Sequence, residues 1–221
     1  MFARFFRTNG FRKHAGWTLP NGRLRLRPMT RLDLHQVGLW FSDSDLLQLA
    51  FGTELTGEAL DLMAKEYLKE MDACRQVMLT VETATEVGSR MVGFVRYSLY
   101  SPERGRTARV GIIIGEREFW NHGYGTEAMR MFLQYLFEKK AVQWVELDTA
   151  HFNVRAQRCF GKCGFVTVAT DPLPPDPEAL HWGTPKVWME LCRESWSAVD
   201  LRPADEAVGA SRRSEKPRSN V

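Results

Sequence analysis

One stretch does most to limit what this chain can become. The apolar, β-branched run Val110-Gly111-Ile112-Ile113-Ile114 passes through a polar bend into Trp120-Asn121-His122-Gly123-Tyr124-Gly125-Thr126-Glu127-Ala128, and a helical pattern follows to about Glu138. A strand, a glycine loop and a helix N-terminus in that order leave the first backbone N–H groups of the helix without intrahelical partners, and the helix dipole favours an anion there. On this stretch alone two readings of Gly-x-Gly stand open: a tight turn before a core helix, or a backbone cradle for phosphate.

The helix after the glycines carries Ala128, Met131, Phe132, Tyr135 and Leu136 on one side and Met129, Leu133 and Phe137 on another, so it is expected to be buried over most of its circumference against a sheet. Strands are expected at Leu24–Met29, Val77–Glu82, Met91–Ser98, Thr107–Ile114, Trp144–Asp148, Phe165–Ala169 and Lys186–Leu191, from alternation and β-branched content. Helices are expected from Thr30, as N-cap, to Phe41, over Thr56–Met71, and from Asn153, as N-cap, to Lys162. Short polar links join the three middle strands into an antiparallel meander, while a helix between Ile114 and Trp144 demands a parallel crossover. The fold class is α+β with a mixed, mostly antiparallel central sheet and flanking helices.

A chain of 221 residues with 44% hydrophobic content suits one domain with its own core. The reading is an N-terminal extension over 1–22, a domain over 23–197 and a disordered tail over 198–221. The extension holds Arg4, Arg7, Arg12, Lys13 and several aromatics, with no acidic residue before Asp33. A net charge of +3 is too mild to imply nucleic acid, but it suits a small anionic ligand. No apolar run approaches the ~18–20 residues of a membrane span. Cys74, Cys159, Cys163 and Cys192 form no C-x-x-C pair and read as buried thiols of a reducing cytoplasm, with no metal site expected.

Three phosphate-binding patterns compete for the glycines. A Walker loop fails for want of Gly-Lys-Ser or Gly-Lys-Thr. Gly123-Tyr124-Gly125-Thr126-Glu127-Ala128 fits the dinucleotide pattern G-x-G-x-x-A, with Asp148 about 20 residues on, but Gly115–His122 separate strand from glycines and a meander precedes them. The third is a resemblance. The block Gly111-Ile112-Ile113-Ile114-Gly115, Phe119 to Ala128, Asn153-Val154-Arg155-Ala156 and Gly164-Phe165 resembles the GNAT superfamily of acyl-CoA-dependent N-acetyltransferases, and within it the branch of ribosomal-protein N-terminal acetyltransferases.

That resemblance implies a splayed strand pair, 110–115 against 144–149, holding the pantetheine arm of acetyl-CoA. It implies cofactor contacts from Trp120, Asn121, His122, Gly123, Tyr124, Gly125, Thr126 and Asn153, and an oxyanion donor at the backbone of Ile113 or Ile114. The acceptor it implies is a small-molecule amine or a protein N-terminus, approached past Trp40, Asp43 and Asp45, with Phe41, Trp182 and Trp188 nearby; a homodimer is compatible with it. Phe160 stands where many members carry the tyrosine acid, and Arg109 where relatives often carry glutamate. Glu116 and His151, with Asp148, then remain as catalytic candidates, and Cys159 as a substitute acid. These departures keep a second reading open, a non-catalytic acyl-CoA-binding or regulatory module on the same fold.

Overall fold

The structure is a computed structural model and describes residues 17–18, 22–51, 57–58, 62, 65, 69, 76–86, 88–172 and 184–196. Most of the expected extension, the tail, Trp182 and most of the helix over 56–71 lie outside the described residues, but Trp17 and Thr18 of that extension are strand and pair with Leu26 and Arg25 at the edge of the sheet. Gly57, Glu58, Leu62, Lys65 and Lys69 are described, and all are helical.

Among the described residues eight strands form one sheet. They are β1 (Trp17–Thr18), β2 (Leu24–Pro28), β3 (Val77–Thr85), β4 (Gly88–Tyr100), β5 (Thr107–Ile114), β6 (Trp144–Ala150), β7 (Val166–Thr170) and β8 (Lys186–Cys192). Their order is β1-β2-β3-β4-β5-β6-β8-β7, antiparallel throughout except for the parallel β5–β6 pair. The mixed α+β sheet expected from the sequence is therefore the one observed. The helices lying wholly within the described residues are α1 (Asp33–Trp40), α2 (Ser44–Phe51), α3 (Tyr124–Gln134) and α4 (Val154–Lys162). A wide π turn over Tyr135–Lys139 extends α3.

On one sheet face, α3 buries Ala128, Met129, Met131, Phe132 and Leu133 completely against Leu26, Val81, Val95, Ala108, Val110, Val145 and Leu147, and Phe160 and Cys163 of α4 join them. The other face is covered over β3 and β4 by α1 and α2, through Leu34, Val37, Trp40, Leu46, Leu47, Met78 and Phe94. At about 1.5–3 kcal/mol for each large apolar side chain taken from water, these two layers set the relative positions of β5, α3 and α4.

Two local expectations change. Thr30 does not cap α1; instead its N–H and hydroxyl both donate to Asp33 Oδ2 at 2.6 and 2.7 Å. The carboxylate is the better acceptor, and Arg27 fixes it with a fork of 2.7 and 2.6 Å contacts. The polar Thr83–Arg90 link is mostly strand, because β3 and β4 stay paired within it as far as Thr85 opposite Gly88, while the preceding Glu82 is neutralised by Arg25 and Arg27.

The geometry that matters most lies between β5 and β6. Their ladder runs only from Thr107 opposite Trp144 to Arg109 opposite Glu146. Beyond that the strands part, while β5 stays paired with β4 as far as Ile114 opposite Gly93.

Candidate functional site

The glycine loop begins with a 3₁₀ turn over Arg117–Phe119 and reverses through Asn121 (φ 63°) and Gly123 (φ 81°), both left-handed. Gly123 is the N-cap of α3 and no side chain caps the helix, so the N–H groups of its first turn point outward unpaired, while that of Glu127 closes the first intrahelical bond to Gly123 at 3.0 Å. The free end of β5, this loop and α4 line a cleft of about 420 Å³, with Leu46, Leu49 and Ala50 of α2 closing one side.

Ile113, Ile114, Trp120, Asn121, Gly123, Gly125, Thr126 and Asn153 line this cleft, as does Phe160. His122 and Tyr124 do not. Arg23 holds them on the back of the loop, donating to the His122 carbonyl at 2.6 Å and lying 3.8 Å above the Tyr124 ring. It also pairs with Glu127 at 2.7 Å. Asn153 caps α4 by accepting from Ala156 N–H at 3.1 Å, and its amide donates to the Leu49 carbonyl at 2.8 Å. Both ends of that side chain are committed, so it clamps α2 to α4 rather than offering a free polar group.

The strand edges distinguish Ile113 from Ile114. Gly115 N–H bonds Val92 on β4 at 3.0 Å, and backbone groups alternate along a strand, so Ile113 faces β4 while Ile112 and Ile114 face the gap. The carbonyl of Ile114 is capped by Trp120 Nε1–H at 2.7 Å, leaving its N–H as the donor presented to the gap.

Neither catalytic candidate stands in the cleft. Glu116 is drawn to α1: one oxygen accepts from Trp40 Nε1 at 2.9 Å and Gln36 Nε2 at 3.0 Å, and the other is held by Arg90. Both oxygens of this carboxylate are thus engaged within the chain. His151 directly follows β6 and does not line the cleft, with its ring edge-on to Phe152 at 5.7 Å and a buried Nδ1 that has no hydrogen-bond partner among the described residues. Asp148 is tied to Arg109 and to Lys186.

The acceptor candidates do not line the cleft either, and each is engaged within the chain. Trp40 is buried, its ring covering Gly115 so closely that a Cβ there would lie 2.0 Å from it, and stacking 6.5 Å from Phe94. Asp43 caps α2 through Leu46 N–H at 3.2 Å, and both Asp43 and Asp45 are held by Arg117 at 2.7 and 2.9 Å.

The sequence reading missed the cationic wall. Arg155, Arg158 and Lys162 share one side of α4 at i, i+3 and i+7 and all line the cleft, a spacing readable from the sequence itself. Arg155 lies 3.9 Å over the Trp120 ring, which Arg117 approaches at 5.4 Å. Burial pushes the Arg155 pKa down, and among the described residues no carboxylate pairs with any of the three cations. Unpaired amides, three cations and a peptide-like strand edge together make a site for an elongated molecule with an anionic end.

Residues 23–166 match the family described as acetyltransferase (GNAT) domain. Curated relatives include aminoglycoside N(6')-acetyltransferase type 1 of Serratia marcescens, 26% identical over 179 residues (78% of this chain, 89% of that one). The protein of the same name from Klebsiella pneumoniae is 26% identical over 184 residues (80% and 91%). Among solved structures, spermidine N-acetyltransferase of Vibrio cholerae in complex with CoA and spermine shares the fold with a TM-score of 0.62 at 20% identity, covering 79% of this chain and 98% of that one. An aminoglycoside acetyltransferase in complex with coenzyme A superimposes with a TM-score of 0.58 at 21% identity (78% and 96%).

Proposed function

The chain belongs to the acetyltransferase (GNAT) domain family, and from that premise we propose that its cleft binds acetyl-CoA along the β5–β6 gap and serves a small-molecule primary amine. Acetyl-CoA is the acyl donor of this N-acetyltransferase, supplying an activated thioester from which the acetyl group passes to an uncharged amine as the thiolate leaves. The observation that carries the reading is the end of β5–β6 pairing at Arg109 and Glu146, beside the uncapped N-terminus of α3.

Each part of the cleft has a task on this reading. The first-turn amides of α3, Gly125 and Thr126 among them, hold the pyrophosphate, and Arg155, Arg158 and Lys162 neutralise it. Gly125 keeps the cradle open. The free edge of β5 orients the pantetheine amides, and the Ile114 N–H polarises the thioester carbonyl. Trp120 positions Arg155 from above and fixes the Ile114 backbone.

No carboxylate or imidazole lines the cleft among the described residues. Proton removal from the amine therefore goes through water, and alignment supplies most of the rate. The acceptor approaches from the sheet face opposite α3, where Asp148, two residues past the last β6 residue paired with β5, has its charge already met by Arg109 and Lys186. The aminoglycoside and spermidine acetyltransferases among the relatives support a small-molecule polyamine or amino sugar ahead of the protein N-terminus that the ribosomal-protein branch would imply. Free thiols at Cys159, Cys163 and Cys192 support a reducing compartment such as the cytoplasm. Among the described residues no helix is long and apolar enough to cross a membrane.

The test is release of free thiol from acetyl-CoA with spermidine, kanamycin and a peptide with a free N-terminus as acceptors. Turnover with a small-molecule amine is expected. Binding of acetyl-CoA with no release for any amine would favour the non-catalytic module.

A further inference from the structure

α4 and its C-cap carry two thiols, Cys159 on the wall of the cleft and Cys163 behind it, and the chemistry above uses neither. Thr126, in the first turn of α3, touches both: its hydroxyl donates to Cys159 Sγ at 3.4 Å, and its carbonyl accepts from Cys163 Sγ at 3.7 Å. Cys163 is buried, whereas Cys159 is partly exposed and lines the cleft. The Cys159 sulfur lies 3.5 Å from where a Cβ on Gly125 would stand, so it borders the amide cradle. Any group added to it projects into the space assigned to the pyrophosphate.

This setting favours the thiolate, the reactive form of cysteine. The hydrogen bond from Cys163 has the largest effect; with the Thr126 hydroxyl and the positive charges of Lys162 and Arg130 it outweighs burial and brings the Cys159 pKa down to about 7. Cys163 is pushed the opposite way and stays protonated, its one S–H shared between Cys159 and the Thr126 carbonyl. The same wall carries Arg155, Arg158 and Lys162, which draw an anionic reagent toward the sulfur.

We propose that Cys159 is a reversible S-thiolation site, at which a low-molecular-weight anionic disulfide leaves a mixed disulfide that excludes acetyl-CoA from the cleft. The exclusion rests on reading the cleft as the acetyl-CoA site. In the step, the Cys159 thiolate attacks one sulfur of the incoming disulfide; that S–S bond breaks, a new one forms to Cys159, and the released thiolate takes a proton from water. Cys159 is oxidised, the second half of the reagent is reduced, and a free thiol reverses the exchange.

The experiment treats full-length protein with oxidised glutathione, counts adducts by intact mass, maps them by peptide mass, and titrates acetyl-CoA into treated and untreated samples. One adduct at Cys159 is expected, reversed by dithiothreitol, and the thiolated protein loses acetyl-CoA binding. With acetyl-CoA present at 100 times its Kd the adduct forms about 100-fold more slowly, and Cys159→Ser removes it. An adduct at Cys74 or Cys192 with Cys159 untouched, a rate indifferent to acetyl-CoA, or unchanged acetyl-CoA affinity after thiolation would overturn the proposal. Untreated protein that fails to bind acetyl-CoA would refute the cofactor reading and the exclusion with it; the mass map still shows whether Cys159 reacts, so the two failures are told apart.

Discussion

Gly123 and Gly125 sit two residues apart in one loop, yet the structure gives them different work, and substitution separates the two. Gly123 has φ 81°, and a Cβ there would approach Arg23 Nη2 at 3.3 Å, on the back of the loop. A left-handed conformation costs a side-chain-bearing residue about 1–2 kcal/mol, which for a domain of this size lowers Tm by roughly 2–8 °C. Gly125 has no such backbone demand, and a Cβ would find Cys159 Sγ at 3.5 Å and Ile114 Cγ1 at 3.8 Å, ordinary contact distances. Valine at 125 therefore folds, but its methyl groups occupy the cradle. If they displace two charge-assisted amide bonds of about 1.5–3 kcal/mol each, acetyl-CoA affinity falls by roughly a hundred- to ten-thousand-fold. Calorimetric titration and thermal melts on Gly123→Ala and Gly125→Val check both halves. The expected pattern is a lowered Tm with modest loss of affinity at 123, and a retained Tm with abolished binding at 125. A folded Gly125→Val protein that binds acetyl-CoA normally would show the loop to be structural only.

Three further outcomes follow from the same geometry. Arg155→Met removes one phosphate-facing charge and should weaken acetyl-CoA binding by about tenfold or more, with a shallower salt dependence, in titrations at two ionic strengths. Trp40→Phe deletes the donor to Glu116 while keeping most of the packing on Phe94; a loss of about 1–2 kcal/mol in urea unfolding is expected with KM for the amine unchanged, and a raised KM would return Trp40 to the acceptor site. For Asp33, burial is the largest influence and raises the pKa, but the bonds from Arg27 and Thr30 together outweigh it and hold the carboxyl below its usual value. Its stabilisation is therefore complete above the unfolded value of about 3.9 and lost as pH falls through the folded one. Asp33→Asn should be less stable than wild type at pH 7 and nearly equal to it at the acid end, measured by urea unfolding across pH.

What could be read from the sequence was what depends on neighbours in sequence. The burial of α3 follows from its three- and four-residue spacing of Met, Phe and Leu; the meander follows from alternation, and the parallel crossover from a helix between two strands. Asn153 was recognisable as a cap because its acceptor lies three residues on. Partnerships across the chain were not visible. Glu116 has the look of a free loop carboxylate until α1, 76 residues earlier in the chain, brings Trp40 to it. Thr30 has the composition of an N-cap, and only the approach of Arg27 to Asp33 turns it into a donor. Asp43 and Asp45 attract a cation, as their charges suggest, but the cation is Arg117 of the same chain. Ser42-Asp43-Ser44-Asp45 also has the composition of a helix cap, and Asp43 does cap the short helix Ser44–Phe51. The Arg155, Arg158 and Lys162 stripe was available at helical spacing, but its meaning depends on α4 facing the glycine loop.

The most direct test of the account is a crystal structure of the protein with coenzyme A. The account predicts the pyrophosphate within hydrogen-bonding distance of the Gly125 and Thr126 amides and beside Arg155, with the pantetheine arm between β5 and β6 past Ile114. Coenzyme A bound elsewhere, or a β5–β6 ladder that continues beyond Arg109 and Glu146 with the gap closed, would contradict it.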